Sequence, residues 1–87
     1  MTTEKVVVTA PNGLHARPVG EIVRIAKSFP DSAVTITSGE KTVKATSMLS
    51  ILSLGLKKGT EVEVCAEGGD GAGAVNAIVN LIQSVTE

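Results

Sequence analysis

The chain has almost no aromatic side chains, and this scarcity limits the functions open to it. Its 87 residues include one Phe and no Trp or Tyr, and the net charge is −1 without a long run of like charges. Proteins that bind nucleic acids usually present a basic stripe and aromatic rings on which bases stack. We therefore expect no nucleic-acid partner, and a core built from Val, Ile, Leu and Ala.

Cysteine and histidine each occur once, as Cys65 and His15. A single Cys excludes an intramolecular disulfide, and one Cys with one His cannot supply the ligands of a tetrahedral metal site. No segment resembles a signal peptide or has the apolar length of a membrane span. We therefore expect a single cytoplasmic domain over residues 1–87, with no metal, no cofactor and no membrane insertion.

Hydrophobic periodicity predicts the element order βαββαβα. Strands are predicted over 4–9, 33–38, 41–45 and 60–66, and helices over 16–28, 48–54 and 72–86. Gly73 predicts a weak or late start for the last helix. Each strand has one apolar and one polar side, which suits a mainly antiparallel sheet covered on one side only. The predicted fold class is α+β, an open-faced β-sandwich in which helices cover one face of a four-stranded sheet.

The only histidine lies in the segment Pro11-Asn12-Gly13-Leu14-His15-Ala16-Arg17-Pro18. Pro18 suits the first turn of a helix, so His15 falls at or beside the N-cap, near the N–H groups of Ala16 and Arg17. A helix N-terminus attracts anions, and a guanidinium group can bind two phosphate oxygens. The same positive end favours a neutral, nucleophilic imidazole. His15 is therefore predicted to accept a phosphoryl group, the alternative being an ordinary polar cap.

The predicted helix over 48–54 has more apolar residues than one packed face requires. Ile51 and Leu54 share a face that can reach the core, whereas Met48, Leu49 and Leu52 share another. An exposed apolar cluster beside a charged site is typical of a partner-binding surface. We name these three residues the docking patch, and the alternative is that some of them lie under neighbouring loops.

Ser47 immediately precedes the docking patch, and either Thr46 or Ser47 is predicted to cap the short helix. A phosphate on Ser47 would be tolerated by the helix dipole and would place a dianion beside the patch. Two interpretations of Ser47 therefore stay open, a cap alone or a cap that also serves as a switch.

The segment 13–18 and the segment Ser47-Met48-Leu49-Ser50-Ile51-Leu52-Ser53-Leu54-Gly55, about thirty residues later, together resemble the HPr family. These proteins are the histidine-containing phosphocarriers of the bacterial phosphoenolpyruvate-dependent sugar phosphotransferase system. The resemblance spans the whole chain. It implies that His15 accepts phosphate on Nδ1 from Enzyme I and donates it to IIA domains of sugar permeases, as a monomeric carrier and not an enzyme.

The resemblance also implies roles for further residues. Arg17 would balance the phosphate charge, and Asn12 would help to orient the site. Ser47 matches a serine that a dedicated ATP-dependent kinase phosphorylates in many Gram-positive members. The segment Lys44-Ala45-Thr46, which precedes Ser47, and the residue Ser50 depart from the pattern of such members. Docking of Enzyme I and IIA would involve the first helix and the docking patch, through Val19, Gly20, Arg24, Lys27, Met48, Leu49 and Leu52.

Two other functions remain open at this point. One is a phosphocarrier of the nitrogen-related regulatory branch, which uses the same chemistry for signalling instead of sugar uptake. The other is an interaction module in which His15 is only a cap and no phosphate is carried. Incubation with phosphoenolpyruvate and Enzyme I separates a carrier from a module, because only a carrier gains acid-labile, base-stable phosphate.

Overall fold

Strands and helices alternate in the predicted order βαββαβα in the computed structural model, which describes residues 2–11, 13, 14 and 16–85. The α+β class predicted from the sequence is thus confirmed. The strands are β1 (Thr2–Val7), β2 (Ala33–Ser38), β3 (Lys41–Lys44) and β4 (Glu61–Glu67). The helices are α1 (Ala16–Lys27), α2 (Met48–Leu52) and α3 (Gly71–Ser84).

The four strands form one sheet in the order β1-β4-β2-β3, and every neighbouring pair of these strands is antiparallel. The register places Val6 opposite Val62, and Ile36 opposite Val64. These apolar side chains face the helices, of which α3 packs across β1, β4 and β2. The alternate residues face away from the helices, so the sheet is open on one side, as predicted.

The core is aliphatic, as the scarcity of aromatic residues requires. Its largest fully buried side chains come from every layer of the fold: Ile22, Ile36, Ile51, Ile78 and Ile82. Burial of each contributes about 1.5–3 kcal/mol relative to exposure. Phe29 packs against this core and is itself only partly buried. No helix within the described ranges is long and apolar enough to cross a membrane.

Several element ends differ from their predicted positions. Strand β1 begins at Thr2, because the backbone of this polar segment pairs with β4 as far as Ala66. Helix α2 ends at Leu52, two residues before its predicted end. The late start predicted for α3 is wrong, because the carboxylate of Asp70 accepts a hydrogen bond from the N–H of Gly73 at 3.2 Å and caps the first turn.

Candidate functional site

The loop before α1 is held against the segment that follows α2. The N–H of Leu14 donates to the carbonyl of Leu56 at 2.8 Å, and both side chains are buried. Gly13 has φ +72, and a β-carbon there would overlap the carbonyl oxygen of Leu56 and lie 3.0 Å from the Cα of Lys57. Only glycine combines this φ with so close a backbone approach. The residues leading to the predicted acceptor are therefore fixed in place.

Two of the predicted site residues, His15 and Asn12, lie outside the described residues. Helix α1 begins at Ala16, as predicted, with Pro18 buried in its first turn. Ala16 and Arg17 are both exposed, and the first turn has no acidic residue. The positive end of the helix is therefore not opposed by a carboxylate within that turn.

The remaining residues predicted on α1 differ in exposure. The prediction that Val19 contacts partners is wrong, because its side chain is fully buried and packs in the core. Gly20 is half-buried, and a β-carbon there would meet no atom within 4 Å. Arg24 and Lys27 are exposed, and Arg24 forms an ion pair with Glu21 one turn earlier. The α1 surface available to a partner is therefore polar and basic.

The docking patch is partly exposed. Leu49 is 82% exposed and Met48 is 37% exposed, whereas Ile51 on the other face is buried. Leu52 is half-buried and packs against the core, so it agrees only in part with the prediction of an exposed residue. Leu52 is the last residue of α2. The apolar surface offered to a partner therefore consists mainly of Met48 and Leu49.

Of the two predicted caps, Thr46 and Ser47, it is Ser47 that caps α2. Its Oγ accepts a hydrogen bond from the N–H of Ser50 at 3.4 Å and donates one to the Oγ of Ser50 at 2.9 Å. The partnership with Ser50 was not predicted, although the spacing of three residues is that of a capping box. Phosphorylation of Ser47 stays a prediction.

Sequence reasoning also missed the contact of Leu56 and Lys57 with Gly13. An Asn-Gly pair is typical of a turn with positive φ, and Gly13 has φ +72. Nothing local in the sequence signals which distant segment the turn lies against.

Comparison with known proteins gives consistent matches along the chain. The family described as "PTS HPr component phosphorylation site" matches residues 2–84. A phosphocarrier protein HPr of Vibrio cholerae is 41% identical over 85 residues, which are 98% of this chain and 99% of that protein. The crystal structure of HPr-C-His from Thermoanaerobacter tengcongensis is 37% identical with a TM-score of 0.90, and the match covers 97% of this chain and 93% of that chain.

A second crystal structure from Thermoanaerobacter tengcongensis, of an HPr dimer, is 38% identical with a TM-score of 0.74. The match covers 93% of this chain and 94% of that chain, and the dimer is a property of that protein. The family match includes both segments that resemble HPr, the one around the single histidine and the one that begins at Ser47. The chain therefore belongs to the HPr family of phosphocarrier proteins.

Proposed function

We propose that this chain is the phosphocarrier of a phosphoenolpyruvate-dependent sugar phosphotransferase system. It accepts a phosphoryl group on His15 from Enzyme I and passes it to IIA domains of sugar permeases, acting as a monomeric, stoichiometric carrier. The observation that carries this proposal is the position of the only histidine, directly before the first residue of α1, in a chain of the HPr family.

The proposed chemistry is an exchange of one P–N bond for another. Nδ1 of His15 attacks the phosphorus of the phosphohistidine on Enzyme I, and the electron pair of the breaking bond stays on the donor imidazole. The neutral imidazole of His15 has its proton on the other nitrogen, so the attacking nitrogen has none to lose. Transfer to IIA repeats the exchange with His15 as the donor. Such reactions depend on in-line positioning and on stabilisation of the phosphoryl charge.

The start of α1 can supply that stabilisation. The N–H groups of Ala16 and Arg17 are among the first of the helix, where no carbonyl of the same helix accepts them. Both residues are exposed, and the guanidinium of Arg17 can bind two phosphoryl oxygens at once. We assign phosphate binding to Ala16 and Arg17, together with Asn12, and charge stabilisation during transfer to Arg17.

Phosphate transfer is the direct test of the proposed function. We expect the purified chain to gain one acid-labile, base-stable phosphate from phosphoenolpyruvate and Enzyme I, and to lose it to a IIA domain. A chain that gains no phosphate would be an interaction module instead. A chain phosphorylated only by the nitrogen-related version of Enzyme I would belong to the regulatory branch.

We expect Arg17→Glu to slow phosphate transfer by about 10- to 1000-fold in both directions, because the change replaces a stabilising cation with an anion beside the phosphoryl group. Single-turnover rates with saturating Enzyme I measure this effect. Arg24→Glu is the matched control, with the same charge change two turns along α1, and we expect it to alter Enzyme I affinity and leave the saturated rate unchanged. A saturated rate for Arg17→Glu equal to that of the wild type would contradict the assigned role.

We propose that partners bind the exposed part of the docking patch together with the basic surface of α1. Leu49 is 82% exposed and stands beside Met48, so burial of both against a partner removes apolar surface from water. Gly20, Arg24 and Lys27 would form the rim of this interface, where charges contribute mainly to association rate and specificity. Leu52 would support the interface from beneath, because it packs against the core.

Leu49→Asp should weaken Enzyme I binding by about 1–3 kcal/mol, as expected for an apolar side chain central to an interface. Its free energy of unfolding should stay within about 0.5 kcal/mol of the wild type, because the side chain is exposed. Titration calorimetry and thermal unfolding measure the two quantities. Leu52→Asp serves for comparison and should reduce stability by about 1–3 kcal/mol, because the carboxylate would enter a half-buried site. Unchanged affinity of Leu49→Asp for Enzyme I and IIA would remove α2 from the interface.

A phosphate on Ser47, added by a serine kinase, would act on the same surface. It would break the hydrogen bond that Ser47 donates to Ser50 and place a dianion next to Met48 and Leu49. We propose that this modification weakens docking in the same direction as Leu49→Asp.

A further inference from the structure

The backbone of Lys57 lies against the loop that leads to His15. Its Cα is 3.0 Å from the position of a β-carbon built on Gly13, and only the carbonyl oxygen of Leu56 lies closer to that position. The hydrogen bond from the N–H of Leu14 to the carbonyl of Leu56, 2.8 Å long, holds the two segments together. Lys57 is thus a spatial neighbour of the two residues that precede the proposed acceptor.

A turn fixes the other side of Lys57. The N–H of Thr60 donates to the carbonyl of Lys57 at 3.0 Å, and the N–H of Gly59 donates to the carbonyl of Val8 at 2.7 Å. These bonds attach the turn to the end of β1. The lysine therefore stands on backbone that is held on both sides, which limits the space that its ammonium group can reach.

No carboxylate of the described residues forms an ion pair with Lys57. Residues 41–60 include four lysines and no Asp or Glu, and residues 5–20 also lack both. The side chain is exposed, and within the described ranges no hydrogen bond or ion pair engages its ammonium group. A cation in this setting is available to an anion that arrives at the loop.

We propose that Lys57 is a second cation of the phosphoryl site, whose ammonium group binds an oxygen of the phosphoryl group on His15 beside the guanidinium of Arg17. The proposal rests on the proposed function. The ammonium group of a lysine stands at the end of a flexible four-carbon stem, which when extended is longer than the spacing of about 3.8 Å between neighbouring Cα atoms. From its position against Gly13, the ammonium group therefore has the length to reach past Leu14.

An ammonium group beside a phosphoryl group favours the more negative form of that group and so lowers its pKa. Removal of the ammonium group should raise that pKa. For unit charges about 6 Å apart in water, the Coulomb interaction corresponds to roughly half a pH unit, or about a threefold change in the equilibrium between the two forms.

The test is a ³¹P NMR titration of the phosphorylated chain, in wild type, Lys57→Gln and Lys58→Gln. Phosphoramidate, a chemical donor to histidine, loads the chain without Enzyme I, so the titration does not depend on partner recognition. Lys58 is the matched control because it is adjacent, has the same charge and is also exposed. We expect the midpoint to rise by about half a pH unit in Lys57→Gln and to stay near the wild-type value in Lys58→Gln.

The outcomes separate this inference from the proposed function. Equal midpoints in wild type and Lys57→Gln, or equal shifts in the two variants, would overturn the role of Lys57 and leave the carrier function intact. The expected rise of the midpoint in Lys57→Gln, combined with no phosphate uptake by the wild-type chain from Enzyme I, would overturn the carrier function. It would leave the assignment of Lys57 unchanged. Failure of phosphoramidate to phosphorylate His15 would overturn the assignment of Lys57 as well.

Discussion

The His15→Ala chain should incorporate no phosphate from Enzyme I. Each proposed transfer forms a P–N bond to His15, and the chain has no second histidine to replace it. The free energy of unfolding should change by no more than about 1 kcal/mol, the typical contribution of a capping side chain. Labelled phosphoenolpyruvate measures incorporation, and thermal unfolding shows whether the variant is folded.

Ser47→Ala is the control for the His15 experiment. The hydroxyl of Ser47 in the wild-type chain is the other proposed phosphate acceptor, but a serine phosphate is stable in acid and comes from a different donor. Ser47→Ala should therefore gain the full amount of acid-labile phosphate. Incorporation of acid-labile phosphate by His15→Ala at the wild-type rate would contradict the phosphocarrier proposal.

The largest loss of stability from a single added methyl group is expected for Gly13→Ala. The new β-carbon would overlap the carbonyl oxygen of Leu56, and φ at this position is +72, a conformation that costs an L-residue about 1–2 kcal/mol. Relief of the overlap requires the loop to move away from Leu56, which breaks the hydrogen bond from Leu14. We expect a destabilisation of about 2–4 kcal/mol, with slower phosphate transfer because the loop before His15 is displaced.

Gly39→Ala separates the two causes of that loss. Gly39 has φ +62, but a β-carbon there would meet no atom within 4 Å. The variant should therefore lose only the cost of its conformation, about 1–2 kcal/mol, and keep its transfer rate. Chemical unfolding of both variants gives the difference, which is the cost of the contact with Leu56. Equal losses of stability in Gly13→Ala and Gly39→Ala would show that the loop accommodates a β-carbon beside Leu56 without a further loss of free energy.

The sequence was most informative where structure is local. Strand β2 has the predicted bounds, because the alternation of Val34 and Ile36 with polar residues is set by its own side chains. Strand β1 was misplaced by two residues, because the polar residues Thr2 and Thr3 join the sheet by pairing with β4, which hydrophobic alternation does not indicate. The strand order also depends on pairings between distant segments, which periodicity does not encode.

The candidate site shows the same division. The start of α1 at Ala16 follows from local features, since Pro18 suits a first turn. The resemblance to the HPr family implied a partner contact for Val19, but the side chain of Val19 is buried and packs in the core. The neighbourhood of Lys57 could not be predicted, because it depends on one hydrogen bond between Leu14 and Leu56, which are 42 positions apart.

The place of β4 in the sheet has a consequence for how the chain folds during synthesis. Strand β4 lies between β1 and β2 and is the only described strand that pairs with β1. A nascent chain that has emerged only as far as Gly59 can form the hairpin of β2 and β3, but its β1 has no strand to join. Pairing of β1 with β4 closes a loop of more than fifty residues. The entropy lost on closing this loop precedes the contacts that offset it, so the pairing is slow. Completion of the sheet must therefore wait until β4 leaves the ribosome, and in a chain that terminates before β4 the strand β1 stays separate from the pair β2 and β3.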